Sequence, residues 1–392
     1  MMVNPAPIIS DSSSADQPRV ILFSTAVSGG GAENHFARLA EGLFADKSRR
    51  WIVSLQKPQG AASSLHGQDV SWLGYRSSKD YPSSILTLRR MIGRTGADLV
   101  YSLSRCSNIV NLAATHSLRP RPMTVLGVND NLEAFDPKRS SPAARFWRHA
   151  QRLSYRCADL ILTNSPESIG LLEREFKCPP GRTRLIRNPL PVAEIRSRAA
   201  MLRQLGSPLP QPYLLSFGRF IEGKGLDLLL DLFAGLRARS LGLRLVLLGD
   251  GPMAGALRRK ADALGVADEV VFPGWATDPL PWLACAKAYV TPSLREGLSN
   301  AVLESMAAEV PVVSFSSTRW IEQFARVGAV AAAPLNDMKA FGAAIELILE
   351  SPMHSARIVA SATRVVADFE SALVVRERED LIRLAWKQFK RA

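Results

Sequence analysis

Long hydrophobic runs are missing from this 392-residue chain. None reaches the roughly 18–20 apolar positions that a bilayer-spanning helix needs. The first eighteen residues have neither a basic start nor an apolar centre, so they read as a mobile tail and not as a secretory leader. Cysteine is scarce: Cys106, Cys157, Cys178 and Cys285 are widely scattered, with no C-x-x-C pair and no disulfide framework. The expected compartment is therefore a reducing cytoplasm. No D-x-D carboxylate pair stands at a strand end, so no divalent-metal site is expected. The chain also lacks G-x-G-x-x-G after its first strand, and its second strand ends in Leu55-Gln56 with no acid to take a ribose. A NAD enzyme is disfavoured.

What the chain has in excess is positive charge. Lys and Arg total 49 against 36 Asp and Glu, a net charge of +13. Residues 1–200 hold 27 basic against 16 acidic residues, or +11, whereas residues 201–392 hold 22 against 20, or +2. A basic half points to an anionic partner: nucleic acid, an acidic membrane surface or a phosphorylated substrate. A merely solubilising surface would look the same, and composition does not choose. Apolar residues at 47% and charged residues at 22% are those of an ordinary globular protein. The length exceeds the roughly 250–300 residues at which single cores stop growing, so two domains are expected.

Short β-rich runs alternate with amphipathic helical stretches, the pattern of parallel sheets covered by helices on both faces. Residues 19–25, 51–55, 70–73, 98–102, 123–128 and 159–163 are strand candidates in the first half, with helices over 32–45, 84–92 and 142–157 among them. The segments 188–191 and 206–212 bracket an expected linker. A second series follows, with strands at 213–217, 244–248, 269–272, 288–291 and 311–315, and then a helical tail. The division this implies is a tail over 1–18, a first domain over 19–200, a second over 201–370 and a last helix over 371–392.

In open parallel sheets ligands bind at the carboxyl ends of strands, where the next helix offers its N-terminus. Four places carry distinctive residues there. Gly29-Gly30-Gly31 follow the first strand and allow close backbone approach to an anion, though a flexible turn would use the same residues. Arg219 lies just past Gly218, and Lys224 stands between two glycines before a helix. A planar fork of donors and a compact charge suit a diphosphate, while a solvated loop pair remains the alternative. Gly249 to Pro252 and Phe272 to Trp275 are strand-to-helix corners whose glycines would admit a flat base, with plain turn and capping roles as the other reading. The fourth place is a loop of Glu296, Gly297, Leu298 and Ser299 before a helix that starts at Asn300. Glu304 is four residues on, about 40° round the helix from Asn300 and leaning toward the N-terminus. There it could reach a ligand seated on the first N–H groups; a Glu emerging at an edge is the bland alternative.

Together these residues resemble glycosyltransferase family 4, the retaining group with the GT-B fold: two Rossmann-like parallel-sheet domains facing a cleft, with a C-terminal helix crossing back to the first. The likeness runs from Gly30-Gly31-Ala32-Glu33 through Asn188-Pro189, Gly218-Arg219, Lys224-Gly225, Gly249-Asp250-Gly251-Pro252 and Phe272-Pro273-Gly274. It continues to the E-x7-E pair Glu296/Glu304 and to Asp368-Phe369. It implies that Arg219 and Lys224 hold the diphosphate of a nucleoside diphosphate sugar, a UDP-sugar above all, and neutralise it as it leaves. Glu304 would bind ribose. Glu296 with the backbone of Gly297, Leu298, Ser299 and Asn300 would hold sugar and phosphate, and Gly30, Gly31, Gly218 and Gly274 would line the donor. The anomeric configuration would be kept, the nucleotide sugar would be a co-substrate, and no cofactor is implied. Hexose-type sugar transfer to a glycan or lipid-linked acceptor, in polysaccharide or glycolipid assembly, is the function expected.

Two departures stand out. Many relatives place a His after the fifth strand, where this chain reads Gly127-Val128-Asn129-Asp130-Asn131, so Asp130 or Asn129 is the candidate for that place. Relatives also carry a Gly-Gly loop where Ser316-Ser317-Thr318 stand here. His35, His116 and His149 have no motif support and read as ordinary surface or helix histidines. Lys138, Arg139, Arg145, Arg148, Arg152 and Arg156 fall in or just before one helical stretch, and an anionic membrane surface meeting residues 138–156 is an expected partner, with a solvated basic helix acting on a soluble acceptor as the other reading. A sugar-nucleotide epimerase of the same architecture and a non-catalytic sugar-binding module compete with the transferase reading. Nucleic acid is not expected, because no binding motif or aromatic-interleaved basic strand is present.

Overall fold

The computed structural model describes residues 17–26, 31–57, 65, 70–129, 142–237 and 242–391. The chain divides into two units, Met1–Pro189 together with Ser371–Ala392, and Leu190–Glu370.

The first unit opens with β1 (Val20–Ser24), α1 (Gly31–Gly42), β2 (Arg50–Ser54) and β3 (Val70–Trp72). It continues with α2 (Tyr81–Thr95), β4 (Leu99–Leu103), α3 (Arg105–Thr115) and β5 (Met123–Val128). Then come α4 (Pro142–Cys157), β6 (Leu160–Thr163), α5 (Pro166–Arg174) and β7 (Thr183–Leu185). All seven strands are parallel, in the order β3-β2-β1-β4-β5-β6-β7. Every residue of β1 is buried, because alternate side chains serve opposite cores. Val20 and Leu22 pack with Phe36 of α1 on one face, and Ile21 and Phe23 pack with Leu88 of α2 and Val110 of α3 on the other.

The second unit holds α6 (Val192–Leu205), β8 (Tyr213–Arg219), α7 (Leu226–Arg237), β9 (Arg244–Asp250) and α8 (Ala254–Ala263). Next are β10 (Val270–Gly274), α9 (Leu280–Ala284), β11 (Ala288–Thr291), α10 (Asn300–Ala307) and β12 (Val312–Phe315). It ends with α11 (Arg319–Arg326), β13 (Ala331–Ala333), α12 (Met338–Glu350) and α13 (Pro352–Val366). Its six strands are again parallel, in the order β10-β9-β8-β11-β12-β13. The last helix, α14 (Ser371–Arg391), belongs to the first unit, where Ile382 and Trp386 join the core beneath α1. Arg378 of α14 is fully buried and donates to the Tyr101 hydroxyl at 2.6 Å and to the Arg187 carbonyl at 2.9 Å.

Two α/β units built on parallel sheets, with a helical C-terminus, are what the alternating pattern predicts. The stretch between 191 and 206 differs from its expectation. It is no linker but the helix α6, because Val192, Ile195 and Ala199 recur at helical spacing and are buried. The edge strands β7 and β13 were not expected. At three residues each they are too short to show an alternating pattern, and β13 is all alanine, which is depleted in strands; pairing with β6 and β12 makes them strands.

Candidate functional site

In the second sheet the strand order reverses between β8 and β11, and the carboxyl end of that switch point is where open parallel sheets take ligands. β8 delivers Arg219 as its last residue, with its side chain exposed. A short 3-10 turn over Glu222–Lys224 then brings Lys224 back toward the loop that follows β11. There Lys224 Nζ donates to Glu296 Oε1, with the two side chains only 21% and 16% exposed. Burial pulls the Lys224 ammonium down to about 8, and the Glu296 carboxylate, which favours the charged form, works against that loss. Leu294 N donates to the Gly223 carbonyl at 2.9 Å, pinning the two loops to each other.

Glycine makes these approaches possible. Gly225 has φ +63°, and a Cβ there would run into the Pro292 carbonyl oxygen. Gly249 and Gly251, at the end of β9, would likewise drive a Cβ into the backbone of Gly218 and Phe220. Gly218 (φ +132°) and Gly274 (φ +90°) instead face open space, where a flat ligand group can lie on the main chain.

Gly297, Ser299 and Asn300 are half-buried and Leu298 is buried. Ser299 occupies the N-cap of α10 but makes no side-chain capping bond, so the positive end of this helix dipole is not met by its own cap residue. Glu304 is half-buried on the same helix. Its carboxylate is felt by the buried Tyr289 phenol of β11: burial pushes that phenol up, the Thr291 hydroxyl pulls it back, and the charge of Glu304 adds to the rise. The second unit thus brings Arg219, Lys224, Glu296 and the α10 residues to one edge of one sheet, with Gly218 and Gly274 at the ends of neighbouring strands. A cationic pair, a carboxylate and a helix N-terminus make an arrangement suited to a phosphate-linked, hydroxyl-rich ligand.

In the first unit Gly31 opens α1, whereas Gly30 and Asp130 lie outside the described residues, as do residues 138–141. Two features here escaped sequence reasoning. Thr25 and Ser104 share a hydroxyl–hydroxyl hydrogen bond of 2.5 Å at the ends of β1 and β4, the switch point of this sheet. Ser104 also holds φ +81°, a conformation uncommon outside glycine. No local motif announces either fact. Trp275, half-exposed just after Gly274, is the comparable omission in the second unit. His35 is 1% exposed on α1, with neither ring nitrogen hydrogen-bonded, and burial and then the charges of Arg378 and Arg38 hold it well below its ordinary value. His116 and His149 are exposed. Among the described residues no group of three His, Cys, Asp or Glu side chains could hold a metal ion, and no helix is long and apolar enough to cross a membrane.

Known proteins supply the comparison. The model described as Glycosyltransferase Family 4 matches residues 29–194, and that described as Glycosyl transferases group 1 matches residues 211–351. The chain is 35% identical over 210 residues to the lipopolysaccharide core biosynthesis glycosyltransferase LpsE of Rhizobium meliloti, covering 53% of this chain and 58% of that one. It is 30% identical over 161 residues to N-acetylgalactosamine-N,N'-diacetylbacillosaminyl-diphospho-undecaprenol 4-alpha-N-acetylgalactosaminyltransferase of Campylobacter jejuni, covering 41% and 42%. The matched region therefore spans about half the length of these curated relatives. Among solved structures, HepE of Anabaena in complex with UDP-glucose superposes with a TM-score of 0.77 at 20% identity, covering 92% of this chain and 99% of HepE. WaaG, described as a glycosyltransferase involved in lipopolysaccharide biosynthesis, gives 0.72 at 16% identity over 93% and 99%. With its Family 4 and group 1 domains on two parallel-sheet units, the chain belongs to glycosyltransferase family 4 and has the GT-B fold.

Proposed function

We propose that the chain is a retaining glycosyltransferase that moves a hexose-type sugar from a UDP-sugar to a glycan or lipid-linked acceptor, in polysaccharide or glycolipid assembly at the cytoplasmic face of a membrane. The observation that carries this reading is the Lys224–Glu296 pair at the carboxyl edge that also holds Arg219 and the α10 N-terminus. The names of relatives support it: HepE is described with UDP-glucose, and the Campylobacter relative acts on a diphospho-undecaprenol acceptor. A Mycobacterium tuberculosis relative is named as GDP-mannose-dependent, which makes GDP-mannose the donor to compare.

In this reading Arg219 and Lys224 hold the diphosphate, and Glu304 takes the ribose hydroxyls. Glu296 and the backbone from Gly297 to Asn300 hold the sugar and its phosphate. Gly218 and Gly274 admit the nucleoside. The acceptor hydroxyl attacks the anomeric carbon on the face from which UDP leaves. The bond to the phosphate oxygen breaks with its electron pair going to phosphate, and the acceptor proton passes to the leaving phosphate. Arg219 and Lys224 answer the charge that grows there, at roughly 1.5–3 kcal/mol for each charge-assisted bond.

No divalent metal takes part, so full activity is expected in excess chelator. Loss of activity that magnesium or manganese restores would overturn that statement. The reading as a whole is tested with a panel of UDP- and GDP-sugars, assayed first for slow hydrolysis and then with candidate acceptors, with product linkage read by NMR. An α-linkage from an α-donor is expected. A β-linked product, or epimerised donor without transfer, refutes the assignment.

A further inference from the structure

The arginines of the first unit are not spread evenly over it. α2, α3 and α4 together carry eight Arg and not one Asp or Glu. The other helices of the unit are mixed: α1 has two Glu, α5 has two Glu, and α14 has Glu377, Glu379 and Asp380 among its basic residues. The sheet explains why this matters. α2, α3 and α4 all pack on the face lined by Ile21, Phe23 and Val100, with α5 and its two Glu beyond α4 on the same side, whereas α1 and α14 cover the opposite face. The three acid-free helices are thus neighbours in one layer, with α3 packed between α2 and α4.

The outer surface of this layer is also apolar in places where a soluble face would be polar. Phe146 is 63% exposed and Leu153, two turns on along the same side of α4, is 49% exposed; Leu86 of α2 is 53% exposed. They stand beside exposed arginines: Arg145, Arg152 and Arg156 on α4, and Arg90 and Arg94 on α2. Trp147 does not share this exposure. It turns inward and packs on Tyr81 at the start of α2, with ring centroids 4.5 Å apart, which ties the two helices into one platform. Large apolar side chains beside cations, over three helices that contain no Asp or Glu, match the chemistry of a bilayer interface with anionic headgroups. A nucleic acid or acidic polysaccharide would reward the arginines but leave the exposed Phe and Leu without a role.

We propose that the α2–α3–α4 face of the first unit docks on an anionic lipid bilayer, with Leu86, Phe146 and Leu153 entering the interface and the arginines meeting headgroups. This deepens the lipid-linked acceptor reading, on which it rests for its purpose, by naming the surface that meets the membrane and extending it beyond α4 to α2. Vesicle binding is measured without donor or acceptor, so it can fail while sugar transfer stands, and UDP binding by the same protein reads the transferase assignment independently.

The experiment is co-sedimentation with phosphatidylcholine vesicles with and without phosphatidylglycerol, at low and high salt, with heparin as a soluble polyanion. The expected result is binding to the anionic vesicles that high salt removes. Each exposed arginine replaced should lower partitioning about five-fold, so R90Q/R94Q on α2 and R152Q/R156Q on α4 should each cost about 25-fold. F146S/L153S should weaken vesicle binding and leave heparin binding unchanged. Equal binding to neutral vesicles overturns the proposal. So does an α2 variant that binds like the wild type, or vesicle binding indifferent to F146S/L153S, which would mark a general polyanion surface. The unmodified protein's salt and lipid dependence decides the first point even if a variant misfolds.

Discussion

Lys224 is the residue whose role can be separated most cleanly, because burial has set its ionisation within the working pH range. With the ammonium at about 8 in the free protein, the charge needed for the donor diphosphate is present at neutral pH and is lost as pH rises through that value. The diphosphate of a nucleotide sugar stays ionised throughout, while the uracil N–H of a UDP donor titrates only toward the alkaline end of the range, so the Lys224 limb is read from its onset near pH 8. The kcat/KM for donor, which reports the free enzyme, should therefore fall tenfold per unit above about pH 8. Once donor is bound the balance changes. An anionic oxygen about 4 Å from Nζ, at an effective dielectric near 20, favours the ammonium by about 4 kcal/mol. The limb in kcat should accordingly lie at higher pH than the limb in kcat/KM.

The charge can also be removed or fixed. K224M keeps the stem and deletes the ammonium. It should lower kcat/KM by roughly 10- to 150-fold, the equivalent of about 1.5–3 kcal/mol, and most of the loss should fall on kcat. K224R keeps a charge that does not titrate and should flatten the alkaline limb even if its activity is lower. The assay is initial-rate kinetics over pH 6–10, with donor varied at saturating acceptor. A wild-type kcat/KM that stays level to pH 10, or a K224R profile with the wild-type limb, would refute the assignment of the limb to Lys224.

Glu304→Ala should act differently, raising KM for donor about 10- to 150-fold with a smaller effect on kcat, since ribose is remote from the reacting carbon; unchanged donor affinity by calorimetry counts against the ribose role. Gly225→Ala should destabilise the protein by about 1–3 kcal/mol and weaken UDP binding, because φ +63° and the Pro292 carbonyl leave no place for a Cβ; a variant with wild-type melting temperature and UDP affinity contradicts the loop geometry. His35, whose folded-state value is depressed, binds its proton in the unfolded chain first, so stability should fall as pH drops below about 6.5. H35L removes that titration while Arg378 and Arg38 remain, and its melting temperature should depend less on pH between 6.5 and 5; an unchanged slope rules His35 out as the source.

What could be read without coordinates follows the range of the interactions concerned. The strand ends and the turns after them are local, so Gly218-Arg219, Lys224-Gly225 and the Glu296-to-Glu304 segment were legible as neighbours of a sheet edge. That Lys224 and Glu296 meet directly was not, because 72 residues separate them and only the β8–β11 pairing brings their loops together. The burial of His35 was hidden for the same reason: it depends on α14, which arrives from the far end of the chain. The basic surface shows the limit most clearly. The spacing of Arg145, Arg148, Arg152 and Arg156 announces one basic helix. The acid-free sequence of α2 means nothing until a parallel sheet, with right-handed crossovers, decides which helices share a face. In this chain the crossovers from β3 to β4, β4 to β5 and β5 to β6 place α2, α3 and α4 on one side, so three unremarkable segments become neighbours on a single charged surface. The sheet topology, more than any motif, converts the excess of arginine in the first half into a surface with a direction.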